Sequence, residues 1–202
     1  MPTLKTVSWI GLIVLLSCSI APATDLPNAE TLTRLQAVYN TTSNAFDRYQ
    51  AMALRADLDG YAQVATLFRV VARSEQILYT ACGDAIKELG AVAQATAEIP
   101  DVQSTKENLE KSVKDTEAFE RDNAFAVYGK RAKAEGNPQA AKFFEYAKDA
   151  NGGNLRLFKA ALKNLDQMKA PGQGLFVCGV SGFAATAIDP AHCVGGVWER
   201  VK

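Results

Sequence analysis

The chain has 202 residues, enough for one sizeable domain and a small appendage. Its 22 Lys and Arg residues balance 22 Asp and Glu residues, which excludes the polycationic surface typical of nucleic-acid binding. The single histidine, His192, lies near the C-terminus, so residues 1–191 hold neither a multi-histidine metal site nor a Ser-His-Asp triad.

The N-terminal segment, residues 1–23, has the pattern of an export signal. Lys5 supplies a positive charge, residues 9–16 form an apolar run too short to span a membrane, and Ala-Pro-Ala at 21–23 offers a cleavage site. An alternative route is a bacterial lipobox, Leu-Leu-Ser-Cys, which would leave Cys18 lipidated at the new N-terminus. Both routes predict a protein of the periplasm or envelope, which meets the membrane only through a lipid anchor.

Four amphipathic helices are predicted after this leader, because apolar residues recur at spacings of three and four. Their approximate bounds are 29–57, 61–89, 104–134 and 138–168. Residues 60–68 and 136–144 are similar in sequence, which indicates two related helical hairpins joined by a longer crossover link. We therefore expect residues 24–168 to form a four-helix bundle.

The segment 169–202 follows a break rich in Pro and Gly and contains too little apolar material to be stable without a cross-link. Cys178 and Cys193 are the favoured disulfide pair in an oxidising compartment. Closing a loop of this length is worth about 3 kcal/mol in the chain-entropy model. Cys82 is then an odd thiol, which we expect to be buried in a helix as a small hydrophobe.

Three glutamates interrupt the apolar faces of the predicted helices. Glu75 continues the apolar stripe of the second helix, and Glu117 and Glu120 lie three residues apart on the third. A buried carboxylate is costly unless it is paired, protonated or bound to metal, so their convergence in the bundle would mark a functional site. The alternative is that the stripes are offset by one residue and that these carboxylates face solvent.

From about residue 27 to 167 the chain resembles rubrerythrin, a diiron carboxylate protein with a ferritin-like four-helix bundle. The resemblance rests on the segment 42–49, on Glu75 at the family's spacing, on Glu117-Ala-Phe-Glu120, and on the fourth helix from residue 136 to 165. It places the family's seven metal ligands on three residues that keep a carboxylate and four that do not: Glu75, Glu117 and Glu120, then Thr42, Leu78, Asn151 and Asn154.

The resemblance implies a metal centre whose ligands are largely replaced. The family has glutamate where Thr42 stands, and Glu-x-x-His where Glu75 to Leu78 and Asn151 to Asn154 stand. Leu78 cannot bind metal, and the two amides offer only neutral oxygens. We expect no cofactor; the alternative is iron or another divalent cation on the three remaining glutamates. Without metal, proximity should raise the pKa of at least one glutamate, with Thr42 and both asparagines completing a polar core.

Gly152 and Gly153 lie between the last two ligand positions, and each costs about 1 kcal/mol relative to Ala inside a helix. Drift after the loss of metal is the favoured explanation. The alternative is a kink that opens the core to a small ligand.

The resemblance extends to the C-terminus, because rubrerythrins commonly end in a rubredoxin-like module with two Cys-x-x-Cys knuckles around one iron. Here the knuckles are Cys178-Gly-Val-Ser181 and Cys193-Val-Gly-Gly196, so each lacks one thiolate. The facing knuckles of the family support a Cys178–Cys193 disulfide, with His192 as a third metal ligand in the alternative. The electron-entry site of a rubrerythrin peroxidase would then be absent.

The favoured hypothesis is a non-catalytic scaffold or binding protein of the bacterial envelope, acting as a homodimer with an unidentified protein partner. One alternative is a rubrerythrin-type peroxidase in oxidative-stress defence that uses a residual site at Glu75, Glu117 and Glu120. A third hypothesis is a metal-binding or storage protein that uses the same three carboxylates without redox turnover.

Overall fold

The computed structural model describes residues 28–172 and 174–202, and the predicted leader with Cys18 lies outside these residues. The helices are α1 Ala29–Leu58, α2 Ala62–Glu88, α3 Thr105–Arg121, α4 Ala124–Ala134 and α5 Pro138–Lys163. Strands β1 Leu175–Cys178, β2 Ala184–Ala185 and β3 Trp198–Val201 follow, with 3₁₀ turns at Leu165–Lys169 and Pro190–His192. Within the described residues, no helix combines the length and apolar character of a membrane span.

The helices form the expected ferritin-like bundle, whose core is built from large apolar side chains on facing helices. Tyr49 of α1 stacks on Phe68 of α2 with ring centroids 6.0 Å apart, and lies 5.6 Å from the ring of Phe158 on α5. A second cluster includes Leu35 and Phe144, which are fully buried. Complete burial of a side chain of this size contributes about 2 to 3 kcal/mol.

Two glycines at equivalent places of the internal repeat end the first helix of each hairpin. Gly60 follows α1 and Gly136 follows α4, with φ values of 80° and 78°. This left-handed conformation suits glycine and stops a helix. Pro138 then occupies the first turn of α5, where its missing N–H has no helical partner to lose.

The prediction of one continuous third helix over residues 104–134 is wrong, because this segment forms two helices. The helix is interrupted at Asp122 and Asn123, between α3 and α4, and Asn123 adopts a left-handed φ of 47°. Asparagine tolerates this conformation better than most residues. Phe119 and Phe125 pack across the break with ring centroids 4.6 Å apart. The apolar pattern therefore continues through the break, which is why periodicity did not reveal it.

The end of the fourth predicted helix, at residue 168, also differs. Helix α5 ends at Lys163 and the chain continues as the 3₁₀ turn from Leu165 to Lys169. Terminal turns of this kind are common, and sequence periodicity does not separate them from the helix.

The crossover link between the hairpins lies along α1 and is held by a row of side-chain amides. Gln36 Nε2 donates to the carbonyl of Val92 at 2.7 Å, and Asn40 Oδ1 accepts from Thr96 N at 2.7 Å. Asn44 Nδ2 donates to the carbonyl of Thr96 at 2.9 Å. Helix residues four apart are separated by about 6 Å, close to the rise of two extended residues. The spacing of the amides along α1 therefore matches the spacing of the residues they bind along the link.

The C-terminal strands form an antiparallel sheet in the order β2-β1-β3. Cys178 pairs with Trp198, and Phe176 pairs with both Arg200 and Ala185. Leu175 and Val177 of β1 belong to the same apolar cluster as the bundle core. The module is thus packed on the bundle rather than suspended from a linker.

Candidate functional site

Thr42, on α1, takes no part in a polar network with the other ligand positions. It is buried, and its hydroxyl lies 2.9 Å from the carbonyl oxygen of Val38 and 3.2 Å from that of Tyr39, to which it donates. A buried Thr commonly satisfies its hydroxyl within its own helix in this way. The expected contribution of Thr42 to a shared polar core is therefore not observed.

Glu75, on α2, is partly buried, and desolvation raises the pKa of its carboxyl to about 7, against the opposing charge of Arg48. A raised pKa was expected for one glutamate, but its cause is burial rather than a neighbouring carboxylate. Burial also raises the pKa of the adjacent Tyr49 to about 12, and the charge of Glu75 adds to this shift. Ser112 on α3 lies near the Tyr49 hydroxyl and partly offsets it.

Glu117 and Glu120, on α3, each have a partner on α5. Lys159 Nζ lies 2.6 Å from Glu117 Oε1, and the Glu117 side chain is 43% exposed. Asn151 Nδ2 donates to Glu120 Oε1 at 2.7 Å. These two carboxylates are thus bound by an ammonium group and an amide on the rim of the bundle.

Asn154 lies in a different environment from Asn151, between α2, α5 and the C-terminal module. Its Nδ2 is 3.4 Å from Ser74 Oγ, and Ser74 Oγ in turn donates to the carbonyl of Gly182 at 2.6 Å. Asn154 is buried and its Oδ1 has no hydrogen-bond partner among the described residues. Leu78 is buried beside the same contact, because a Cβ built on Gly182 would lie 3.2 Å from Leu78 Cγ.

Packing explains one of the two glycines between the former ligand positions. Helix α5 continues through both, and a Cβ on Gly153 would lie 3.1 Å from the carbonyl oxygen of Ala184 and 3.2 Å from the Phe183 ring. Gly153 therefore lets the C-terminal module approach α5. Close packing accounts for this glycine, rather than drift or a kink that opens the core. A Cβ on Gly152 would meet only the end of the Arg156 side chain, at 3.7 Å, so nothing in the structure explains that glycine.

The structure does not bring the three glutamates together as one ligand set. Among residues 28–172 and 174–202, no three His, Cys, Asp or Glu side chains are grouped so that they could share a metal ion. Glu117 is paired with a cation, Glu120 with an amide, and the two positions where the family has histidine hold Leu78 and Asn154. The residues present therefore do not fit the family's diiron centre.

The predicted disulfide between Cys178 and Cys193 is confirmed, with their Cα atoms 5.4 Å apart. Ser181 replaces one knuckle thiolate, and its hydroxyl donates to the carbonyl of His192 at 3.1 Å. The His192 ring packs against Phe183, with centroids 4.0 Å apart. An iron centre with four thiolate ligands does not fit this module, because the two remaining sulfurs are bonded to each other.

Cys82 is buried in α2 as predicted. Its thiol donates to the carbonyl of Leu35 at 3.2 Å, and burial raises its pKa to about 12. A thiol of this kind is a poor nucleophile and a packing residue.

Sequence reasoning missed Lys159 and Ser74. Lys159 pairs with Glu117, and Ser74 is the partner of Asn154. Lys159 lies eight residues after Asn151, about 80° away from it around α5 and so on the same side of that helix, which was a usable signal. Ser74 had no comparable signal, because its partner Gly182 is more than a hundred residues away in sequence.

A ferritin-like bundle that carries a small antiparallel module places this chain in a defined class of helical proteins, and comparison with known sequences identifies the family. The rubrerythrin family profile matches residues 35–162, and the chain belongs to the rubrerythrin family. It is 27% identical over 165 residues to nigerythrin of Nitratidesulfovibrio vulgaris, covering 81% of this chain and 80% of that protein. It is 27% identical over 175 residues to rubrerythrin-2 of Clostridium acetobutylicum, covering 82% and 91%.

Solved structures agree with this assignment. The chain matches nigerythrin in its fully reduced, all-ferrous state with a TM-score of 0.70 and 25% identity, covering 86% of this chain and 83% of that one. It matches a mixed-valence state of nigerythrin with a TM-score of 0.69 and 26% identity, covering 79% and 78%. The resemblance identified from the sequence is thus confirmed for family and fold.

Proposed function

We propose that this protein is a non-catalytic scaffold or binding member of a diiron, oxidoreductase-type family. The observation that carries the proposal is the pairing of Glu117 with Lys159 at 2.6 Å. An ammonium group beside a carboxylate neutralises it and repels a divalent cation at the same place. In addition, Glu120 Oε1 accepts a hydrogen bond from Asn151.

The two former histidine positions give independent support. Leu78 fills its place with apolar volume, and Asn154 is bonded to Ser74 under the C-terminal module. Neutral amide and hydrocarbon groups cannot replace the imidazoles that such a centre uses. The Cys178–Cys193 disulfide further supports the proposal, because it removes the thiolates of the second iron site.

We also infer that the protein is exported to the periplasm or envelope through its leader, residues 1–23, with Cys18 as the lipid-bearing residue in the alternative route. The disulfide supports an oxidising compartment. A homodimer with a separate protein partner completes this proposal.

Membership of the rubrerythrin family favours a second candidate, a peroxidase in oxidative-stress defence that uses Glu75, Glu117 and Glu120. The same carboxylates would serve a metal-binding or storage protein without redox turnover. Both candidates require the Glu117–Lys159 pair to open.

The test is metal analysis of protein purified from its native source without chelator, combined with hydrogen peroxide turnover. We expect far less than one iron per chain, also after anaerobic incubation with ferrous iron, and no difference in turnover between the wild type and Glu117→Gln. Glu110→Gln is the matched control, because Glu110 also lies on α3 and forms an ion pair, with Lys106 at 3.6 Å.

Two irons per chain, with turnover lost in Glu117→Gln but kept in Glu110→Gln, would establish the peroxidase instead. Metal-dependent stabilisation that Glu117→Gln abolishes, without peroxide turnover, would establish the storage protein.

A further inference from the structure

The stretch closed by the disulfide, residues 178–193, touches the bundle at an unusually close backbone contact. We call this stretch the disulfide loop. Its Gly182 has a φ of 70°, and a Cβ there would lie 3.0 Å from the carbonyl oxygen of Ser74 on α2. On α5, a Cβ on Gly153 would lie 3.1 Å from the carbonyl of Ala184. The absence of a side chain at Gly153 and Gly182 therefore lets the loop and both helices meet.

The contact covers the two places where the family has histidine. Gly182 lies against Leu78, and its carbonyl accepts the hydrogen bond from Ser74 that links it to Asn154. Phe183 packs over Gly153 and under the Arg156 guanidinium, whose carbon is 5.6 Å from the ring centroid. The disulfide loop thus closes the face formed by α2 and α5 at these positions.

The interior of the disulfide loop depends on the disulfide itself. The buried members of its apolar cluster are Cys178, Phe183 and Cys193, with Ala185 and Trp198 packed around them. Two of the three buried residues are therefore the bonded cysteines. The bundle core itself holds Leu175 and Val177 of β1 and, from the loop, only Ala184. Breaking the disulfide should therefore loosen the parts of the loop on either side of Ala184 while β1 stays in place.

One sulfur of the disulfide lies beneath glycine backbone at the surface. Cys178 is fully buried, whereas Cys193 keeps 7% of its surface and precedes Val194, which is 77% exposed. A Cβ on Gly196 would lie 2.9 Å from Cys193 Sγ and 2.8 Å from Val180 Cγ2, so the Gly196 backbone and the Val180 side chain both lie beside this sulfur. Cys193 is the less buried of the two cysteines and therefore the one that an external thiolate reaches first.

We propose that the Cys178–Cys193 disulfide is a redox switch that holds the disulfide loop on the α2/α5 face and releases it when a dithiol reduces the bond. One thiolate of the dithiol attacks Cys193 Sγ, a mixed disulfide forms, and Cys178 leaves as a thiolate that takes up a proton. The second thiol of the dithiol then attacks its own sulfur in the mixed disulfide and releases the Cys193 thiolate. The protein gains two thiols, and the dithiol becomes a disulfide.

The experiment is hydrogen exchange with mass spectrometry on the full chain, oxidised and after native treatment with dithiothreitol, with free thiols counted by alkylation. The expected result is about 100-fold faster exchange at residues 179–192 after reduction, the factor that closing such a loop supplies. Exchange in α1 and in the core turns of α2 should change less than twofold. Cys82→Ala should respond like the wild type, since Cys82 is buried in α2.

A pair of glycine variants tests the docking contact without touching the disulfide. Gly153→Leu, whose side chain meets Phe183, should accelerate exchange at residues 179–192 in the oxidised protein at least tenfold. Gly152→Ala is the control on the preceding residue of α5: its Cβ would make only an ordinary 3.7 Å contact with Arg156 Nη1, so the loop should stay unchanged.

Three outcomes would overturn the switch. The disulfide could resist dithiothreitol under native conditions, or the fully reduced protein could keep its slow exchange at residues 179–192. If all helices exchanged faster together, the bond would be a global cross-link rather than a switch. None of these outcomes depends on whether the protein binds metal or turns over peroxide.

Discussion

Asn151 and Asn154 lie three residues apart on α5 and occupy two ligand positions of one family site, yet they belong to two different regions. Asn151 faces the rim, where it donates to Glu120 and where Glu117 pairs with Lys159. Asn154 is buried under the disulfide loop and leaves its Oδ1 without a partner among the described residues. The rim satisfies its polar groups through contacts between α3 and α5, whereas the buried region is filled by packed side chains and keeps an unpaired oxygen.

The largest effect should come from the glycine at the centre of the buried region. Gly182→Ala combines a left-handed φ with a Cβ 3.0 Å from the Ser74 carbonyl, so we expect a loss of about 3 kcal/mol in the free energy of unfolding. Gly195→Ala is the control, because Gly195 has a φ of 75° but open space around it, and it should lose only about 1 kcal/mol. Urea denaturation measures both. Equal losses would show that the contact with Ser74 contributes nothing.

Glu75 tests the cost of a partly buried carboxylate that lies outside both regions. Because the folded pKa of about 7 exceeds the ordinary value of 4.5, the folded state binds the extra proton between these pH values. Stability should therefore fall as pH rises from 4.5 through 7. Glu75→Gln removes this penalty and should stabilise the protein by about 2 kcal/mol at pH 8 and by almost nothing at pH 4.

Chemical denaturation across this pH range gives the comparison for Glu75. A constant difference between Glu75→Gln and the wild type would mean that Glu75 does not titrate in this window.

The two asparagines should respond with opposite signs to the same substitution. Asn154→Leu removes a buried, unpaired oxygen and should raise the free energy of unfolding by about 1 kcal/mol. Asn151→Leu removes the bond to Glu120 and should lower it by about 1 kcal/mol. Thermal unfolding of the two variants side by side checks the prediction. A loss in both variants would place the buried asparagine in a satisfied network.

The smallest effect should come from the rim ion pair. Lys159→Ala should cost about 0.5 kcal/mol at low salt, because both side chains are about half exposed and solvent screens the pair. The loss should shrink in 1 M NaCl. Lys111→Ala, which removes the exposed pair with Asp115 at 2.9 Å, is the control and should behave alike. A loss of several kcal/mol confined to Lys159 would show a buried pair with a structural role.

Sequence reasoning recovered the bundle and the disulfide because each depends on local or strongly typed signals. Apolar spacing identified three of the four predicted helices, and Gly60 and Gly136 marked the ends of α1 and α4. The break at Asn123 escaped notice, because a single left-handed residue leaves the apolar spacing on either side intact. The disulfide was predictable since only two cysteines lie in the C-terminal segment.

The candidate site was less predictable than the fold. The ligand positions and their replacements were readable by residue identity, but their partners were not. Helical spacing places Lys159 on the same side of α5 as Asn151 but does not show that it meets Glu117, and Ser74 and Gly182 lie on other elements altogether.

The sequence by itself determined the family, the helical bundle and which ligand positions keep a carboxylate, because these depend on periodicity and residue chemistry. Only the tertiary structure decided that Glu117 meets Lys159, that burial rather than a second carboxylate shifts the pKa of Glu75, and that the disulfide loop closes over Leu78 and Asn154. Desolvation and ion pairing act over a few ångströms in space. The groups that interact over these distances come from residues far apart in the chain, so only the packed structure shows which of them meet.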